Sequence, residues 1–144
     1  MQNSFYPCLW FDGNAKEVAE FYCSIFPESK ITVATPMVVE WEMQGKKFMG
    51  LNGGPHFKHS EAVSLVINCD TQAEIDQYWG LLTADGGEES MCGWCKDKFG
   101  ISWQIVPAKL GMWMSHPQKS KDIMNAFLKM KKFDIPTLEK IYNE

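Results

Sequence analysis

Alternation of hydrophobic and polar residues predicts strands in the first part of the chain, arranged around one helix. Val39 and Trp41 alternate with Glu40 and Glu42, which is typical of a half-buried strand. Asn14, with Glu17 three residues later, forms a capping-box pattern that predicts a helix start. We expect strands at residues 6–11, 30–35, 38–43 and 47–52, and a helix with the apolar stripe Ala15, Val18, Ala19, Tyr22, Ile25 and Phe26.

The second part of the chain repeats this order. Thr71 and Glu74 give the same capping-box pattern after a Val-, Leu- and Ile-rich segment. We expect strands at 62–69, 91–96 and 101–106, a helix with the apolar stripe Ile75, Tyr78, Trp79 and Leu82, and two final helices within 117–144 split at Pro136. The self-similarity predicts an internally duplicated α+β fold.

Length and order together predict one domain of 144 residues built from two modules. We place module one at about residues 1–55, module two at about 61–107 and a C-terminal helical extension at about 108–144.

Charge and composition indicate which classes of binding partner to exclude. The formal net charge is −4, and all 14 basic residues are lysines. Since arginine is the usual residue for bidentate phosphate contacts, we expect no nucleic-acid partner. No apolar run approaches a membrane span and no signal-peptide pattern is present, so we expect no membrane partner and a cytoplasmic location. The five cysteines are expected to be reduced there.

Several segments resemble one known family. They are residues 7–17, 21–22, 26–27, 48–55, 68–70, 92–94 and 99–107, which include Pro7-Cys8-Leu9-Trp10-Phe11-Asp12-Gly13 and Phe99-Gly100-Ile101-Ser102-Trp103-Gln104. They resemble the PhnB-like group of the vicinal oxygen chelate superfamily, whose members often carry the label 3-demethylubiquinone-9 3-methyltransferase. The resemblance implies two βαβββ modules forming curved mixed sheets around a cavity, and it implies a homodimer.

The same resemblance bears on metal binding. Metal-using members of the superfamily place His, Glu or Gln ligands on the first and last strands of each module. The corresponding positions here are Pro7, Gly50, Ser64 and Gln104, none of which offers imidazole, thiolate or carboxylate. We therefore expect neither a bound metal ion nor another cofactor.

Counting by two along the strands from those positions predicts which residues face a cavity. The inner face would hold Leu9, Phe11, Phe48, Asn52, Val66, Asn68, Ser102 and Gln104, whereas Cys8, Trp10, Trp103 and Ile105 would face the helices. Trp41, His56, Ser64 and Trp94 complete the ligand-binding candidates. In the functional interpretation, the amides of Asn52, Asn68 and Gln104 orient a ligand in one apolar pocket. The alternative is an ordinary sheet core.

Other motifs favour structural roles over chemistry. Cys92 and Cys95 form C-x-x-C inside a predicted strand, where side chains three positions apart point to opposite faces, so we expect them to stay reduced. His56 and His59 are expected in an exposed loop, with acid–base work by His56 as the alternative. Asp97, Glu40 and Glu42 are candidate catalytic carboxylates, and for the paired Glu40 and Glu42 a solvated strand face is the simpler interpretation.

Three functions remain after these exclusions. We favour a metal-free protein that binds a small molecule. The first alternative is an enzyme of the superfamily, glyoxalase- or lyase-like or the labelled methyltransferase, although the Asp12-Gly13-Asn14 turn lacks a G-x-G motif and no catalytic set is visible. The second alternative is a thiol redox protein that uses Cys92 and Cys95.

Overall fold

The computed structural model describes residues 3–144, which form two compact units that meet in sequence between His59 and Ser60. Each unit contains one four-stranded mixed sheet, so the predicted two-module α+β fold is confirmed. The elements are β1 (Cys8–Phe11), α1 (Ala15–Ile25), β2 (Ser29–Ala34), β3 (Val38–Met43), β4 (Lys46–Asn52), β5 (Ser64–Cys69), α2 (Gln72–Thr83), β6 (Glu88–Glu89), β7 (Trp94–Lys96), β8 (Ser102–Pro107), α3 (Leu110–Ser115), α4 (Ser120–Phe127) and α5 (Ile135–Asn143).

Unit one packs α1 on a sheet of order β1-β4-β3-β2, in which β1 and β4 are parallel and the other pairs are antiparallel. The apolar stripe of α1 is buried as its spacing predicts. Gly50 on β4 permits the close approach of the helix, because a Cβ atom there would lie 3.0 Å from the Ala15 Cβ atom. Leu9, Phe11 and Trp41 are buried in this core.

Helix α1 begins in a way that the capping-box pattern did not predict. Asn14 precedes the helix but makes no side-chain capping bond. The Ala15 N–H instead donates to Oδ1 of Asn52, at 3.0 Å, from the end of β4. The predicted helix start at Asn14 is confirmed, but the predicted side-chain cap is wrong, and the bond from Asn52 satisfies a different N–H group, the first of the helix.

Unit two has the equivalent sheet order, β5-β8-β7-β6, again with one parallel pair, β5 and β8. Here the predicted capping residue is confirmed, because Thr71 Oγ1 accepts from the Glu74 N–H at 3.2 Å. Helix α2 buries Ile75, Trp79 and Leu82. The two-residue strand β6 is too short for a periodic pattern, which explains why it was not predicted.

Residues 117–144 contain two helices, α4 and α5, as predicted, but the predicted split at Pro136 is wrong, and α3, which precedes them, was not predicted. Pro136 lies in the first turn of α5 and does not divide two helices. Proline is tolerated there because the first turn of a helix does not use its N–H groups. Asp134 caps α5 by accepting from the Thr137 N–H at 3.1 Å. None of the helices in the described part of the chain has the length and apolar character needed to span a membrane.

Candidate functional site

A cavity of about 410 Å³ lies in unit two, beside the β6–β7 edge of the sheet. Its walls come from the start of the unit, from the β6–β7 hairpin and from the first residue of β8. The lining residues are Glu61, Glu88, Glu89, Ser90, Met91, Cys92, Trp94, Cys95, Lys96 and Ser102. Trp94 and Ser102 are among the residues predicted from sequence.

Ser102 is the most informative residue of this lining. It lies beside Lys96 on β7 and beside Ser64 on β5, and it is only 1% exposed. Within residues 3–144, its hydroxyl group has no hydrogen-bond partner. A buried hydroxyl without a partner costs about 1–3 kcal/mol, so the cavity contains a polar group that a ligand could satisfy.

Lys96 and Glu61 form an ion pair in the same cavity. The hydrogen bond from Lys96 lowers the pKa of the Glu61 carboxyl, and Glu61 in turn raises the pKa of Lys96. The charge of Glu88, which lies opposite Lys96 across the β6–β7 pair, raises the Lys96 pKa further. Both groups are therefore charged at neutral pH.

Glu89 is held from two sides. Its Oε1 atom accepts from the Trp79 indole N–H at 2.8 Å, and its Oε2 atom lies 3.9 Å from the Lys131 ammonium. Trp79 belongs to α2, and Lys131 belongs to the segment between α4 and α5. The position of this carboxylate thus depends on both helical parts of unit two.

The same C-terminal segment supports the loop that forms one cavity wall. The N–H groups of Cys92 and Gly93 donate to the carbonyl oxygens of Met130 and Lys131, both at 2.8 Å. Both donors have positive φ, 59° at Cys92 and 80° at Gly93. A side chain at Gly93 would collide with the Ile105 carbonyl oxygen and with the buried ring of Phe133, because its Cβ atom would lie 2.6 Å from that oxygen and from two ring carbons.

The two thiols of the cavity differ in their surroundings. Cys95 is buried, and burial, followed by the charges of Asp97 and Glu89, raises its pKa to about 12. Cys92 is half-buried, and no disulfide joins any of the five cysteines, all of which lie within the described residues. Since the thiolate is the reactive form, Cys95 is poorly suited to redox chemistry.

Three further predicted residues lie on the sheet face that carries Ser102. Gln104 donates from Nε2 to the Ser64 hydroxyl at 3.0 Å, so these two side chains satisfy each other in part. Asn68 is exposed on the same face, where Val66 is 54% exposed. On β8, the buried residues Trp103 and Ile105 alternate with Ser102 and Gln104.

In unit one, the predicted division of faces is inverted. A Cβ atom at Gly50 would lie 3.2 Å from Phe11 and from Trp41, so these rings share the helix-facing side. Phe48 stacks on Trp41 with ring centroids 5.9 Å apart, and Leu9 lies opposite Gly50. The inner-face assignment of Leu9, Phe11, Phe48 and Asn52 is therefore wrong, since the alternation distinguishes two faces without showing which one the helix covers.

The polar side chains of Asn52 and His59 in unit one form hydrogen bonds with other groups of the same unit. Both ends of the Asn52 amide are bonded, because Nδ2 donates to the Pro36 carbonyl oxygen at 3.0 Å in addition to the Oδ1 cap. The indole N–H of Trp41 is buried and has no partner among the described residues. His59 Nε2 donates to the Trp10 carbonyl oxygen at 2.7 Å, and His56 is exposed.

Three carboxylates considered from sequence have structural contacts. Buried Asp97 accepts from the Phe99 and Ile101 N–H groups and from the Trp103 indole, at 2.9–3.1 Å. Glu40 pairs with Lys47 at 3.3 Å, and Glu42 pairs with Lys30 at 3.9 Å. Asp97 stabilises a turn, and Glu40 and Glu42 form surface ion pairs.

The residues present do not fit the metal site of the fold family. On β5 and β8 of unit two the relevant face offers hydroxyl and amide groups, and Ser64 and Gln104 bond to each other. In unit one, Gly50 faces α1. Among residues 3–144, no three His, Cys, Asp or Glu side chains are grouped so that they could hold a metal ion.

Comparison with solved structures agrees with this architecture. A PhnB protein from Bacillus cereus is 27% identical, with a TM-score of 0.65 over 72% of this chain and 99% of that one. Protein PA1353 from Pseudomonas aeruginosa is 19% identical, with a TM-score of 0.62 over 74% and 98% of the two chains. The fosfomycin resistance protein FosX from Listeria monocytogenes, crystallised with Mn(II) and sulfate, is 11% identical, with a TM-score of 0.60 over 79% and 96%.

Two mixed-sheet modules and these neighbours define a protein of the vicinal oxygen chelate superfamily. Comparison with curated proteins finds no match. The sequence model of a family described as 3-demethylubiquinone-9 3-methyltransferase matches residues 3–106, and the chain belongs to that family.

The family description implies a methyl-donor cofactor, but the turns after β1 and β5 do not fit the phosphate- or nucleotide-binding turn of α/β enzymes. The turn after β1 has a single glycine, Gly13, and the first free N–H of α1 is already bonded to Asn52. At the start of α2, Thr71 Oγ1 accepts from the Glu74 N–H. One N–H group at each of these helix starts is thus already bonded to a side chain, and neither start follows a G-x-G turn.

Proposed function

We propose that the protein binds a small organic molecule in the cavity of unit two, without a bound metal ion. The observation that carries this proposal is the buried Ser102 hydroxyl, which has no partner within residues 3–144 and lines the cavity. In a sheet core, such a hydroxyl is destabilising unless another group bonds to it. A site residue often has this property, because stability is given up for function.

The shape and chemistry of the lining support the same function. A volume of about 410 Å³ suits a small ligand. Trp94 and Met91 supply apolar surface, and Lys96, Ser90 and the carboxylates supply groups that orient a ligand. Assembly as a homodimer and a cytoplasmic location stay predictions from the resemblance and the composition.

The test is a thermal-shift screen of metabolites and aromatic compounds on wild type and on Ser102→Ala. We expect the substitution to raise the melting temperature or leave it level, because it removes an unsatisfied hydroxyl. It should weaken the binding of cavity ligands. Ser115→Ala is the control, since that hydroxyl bonds within its own helix, to the Gly111 carbonyl oxygen.

The outcome separates a site residue from a core residue. A loss of affinity in Ser102→Ala, with a level or higher melting temperature and unchanged binding in Ser115→Ala, supports the proposal. A screen with no hit that depends on Ser102 overturns it.

A further inference from the structure

The cavity of unit two has an excess of negative charge. Its lining contains the carboxylates of Glu61, Glu88 and Glu89 and a single lysine, Lys96. Lys131 approaches Glu89 at 3.9 Å without lining the cavity, and both of those side chains are about half exposed or more. The electrostatic potential inside the cavity is therefore expected to be negative.

The carboxylates differ in how far they are already bonded. Glu61 is held by Lys96, and Glu89 is held by the Trp79 indole and Lys131. Glu88 lies on the exposed edge strand β6, opposite Lys96. Its carboxylate shares one lysine with Glu61, which leaves negative charge available to a second cation.

A second observation independent of charge points to a ligand. The Ser102 hydroxyl lies next to Lys96 on the neighbouring strand, is buried and lacks a partner in the described part of the chain. A hydroxyl oxygen accepts from an ammonium N–H, and its own hydrogen is then free to be donated. Beside it, the half-buried Trp94 ring offers the kind of surface that attracts organic cations.

We propose that this cavity selects organic cations, specifically a primary amine attached to a small aromatic or apolar group. Glu88 attracts the ammonium, Ser102 accepts a hydrogen bond from it, and Trp94 and Met91 contact the apolar part. This inference rests on the proposed function, since it names the class of ligand for the same cavity.

The test compares three phenols of similar size and different charge: tyramine, 4-propylphenol and 4-hydroxyphenylacetate. Affinities are measured by ligand-detected NMR titration at low salt. We expect tyramine to bind about two- to fivefold more tightly than 4-propylphenol, because an ion pair between its ammonium and the partly exposed Glu88 carboxylate adds only a small amount to the affinity. The anion should bind most weakly, and the preference should shrink as salt is added.

Two variants of cavity residues test whether the preference for tyramine over 4-propylphenol arises in the cavity. Glu88→Gln should reduce the tyramine affinity more than the 4-propylphenol affinity, so that most of the tyramine preference is lost. Lys96→Gln should increase the preference, because it leaves two carboxylates without their lysine. Glu139→Gln is the matched control, since it makes the same change in net charge on α5, at a residue that pairs with Lys109 and does not line the cavity.

The outcomes separate this inference from the proposed function. Equal affinity for tyramine and 4-propylphenol, tightest binding of the anion, or an unchanged preference in Glu88→Gln overturns the selection of cations. In each of these cases, binding that depends on Ser102 still supports a small-molecule site. If no compound of any charge binds in a way that depends on Ser102, both proposals fail.

Discussion

Gly93 shows how one residue connects the cavity wall to the C-terminal segment. Its φ of 80° and the contact with Phe133 both exclude a side chain. We expect Gly93→Ala to destabilise the protein by about 2–4 kcal/mol, from overpacking and left-handed strain together. Gly100→Ala is the control, since φ there is 84° and a Cβ atom would contact nothing within 4 Å. Urea denaturation measures the free energy of unfolding of both variants, and equal losses would contradict the close packing of Gly93 against the Ile105 carbonyl oxygen and the Phe133 ring.

The buried thiols predict how stability changes at alkaline pH. Burial raises the pKa of Cys69 and of Cys95 from 9.0 to about 12. Between these values the unfolded chain loses protons that the folded protein keeps, so these thiols make stability fall as pH rises from about 9 towards 12. The melting temperature of a Cys69→Ala, Cys95→Ala double variant should fall less steeply over that interval. Identical slopes would show that the thiols do not contribute.

At the residue scale, sequence reasoning found Trp94 and Ser102 but missed most of the cavity. Period-2 counting separates Ser102 and Gln104 from Trp103 and Ile105 on β8, and Ser102 lines the cavity. The consecutive Glu88 and Glu89, close before the C-x-x-C motif, were a visible signal. Glu88 and Glu89 share a cavity with Cys92 because of the left-handed turn at Cys92 and its hydrogen bonds to residues 130–131. No local sequence pattern predicts those contacts.

At the scale of elements, the start of α1 offers a direct test of tertiary capping. Asn52→Ala removes the acceptor of the Ala15 N–H and the donor to Pro36, and we expect a loss of about 1–2 kcal/mol. Asn14→Ala, at the ordinary capping position, should cost less, because its side chain makes no capping bond. Chemical denaturation of both variants gives the comparison. A larger loss in Asn14→Ala would contradict this account of the helix start.

The elements themselves were largely predictable, because each of the longer strands and helices has its own periodic pattern. The stripe of α1 and the cap of α2 follow from residues close in sequence. The face assignment in unit one was inverted because the sequence does not say which side of the sheet α1 packs on. Gly50 marks that side, but this becomes visible only in the structure, where Gly50 lies against Ala15. The start of α5 at Ile135, just before Pro136, was missed because proline both ends helices and occupies their first turn.

At the scale of the whole molecule, the residues at the superfamily's metal-ligand positions predict the metal content. Ser64 and Gln104 are neutral and bonded to each other, and Gly50 faces a helix. We therefore expect well below one equivalent of Zn, Ni, Fe or Mn per chain by elemental analysis of the purified protein. About one equivalent, removed by a chelator together with ligand binding, would contradict the metal-free proposal.

The measurement that tests the central claim most directly is a crystal structure of the protein with the strongest hit of the thermal-shift screen. The claim predicts the compound in the cavity of unit two, with a polar atom within hydrogen-bond distance of Ser102 Oγ and its apolar part against Trp94. A compound bound elsewhere, with the Ser102 hydroxyl still without a ligand contact, would contradict it.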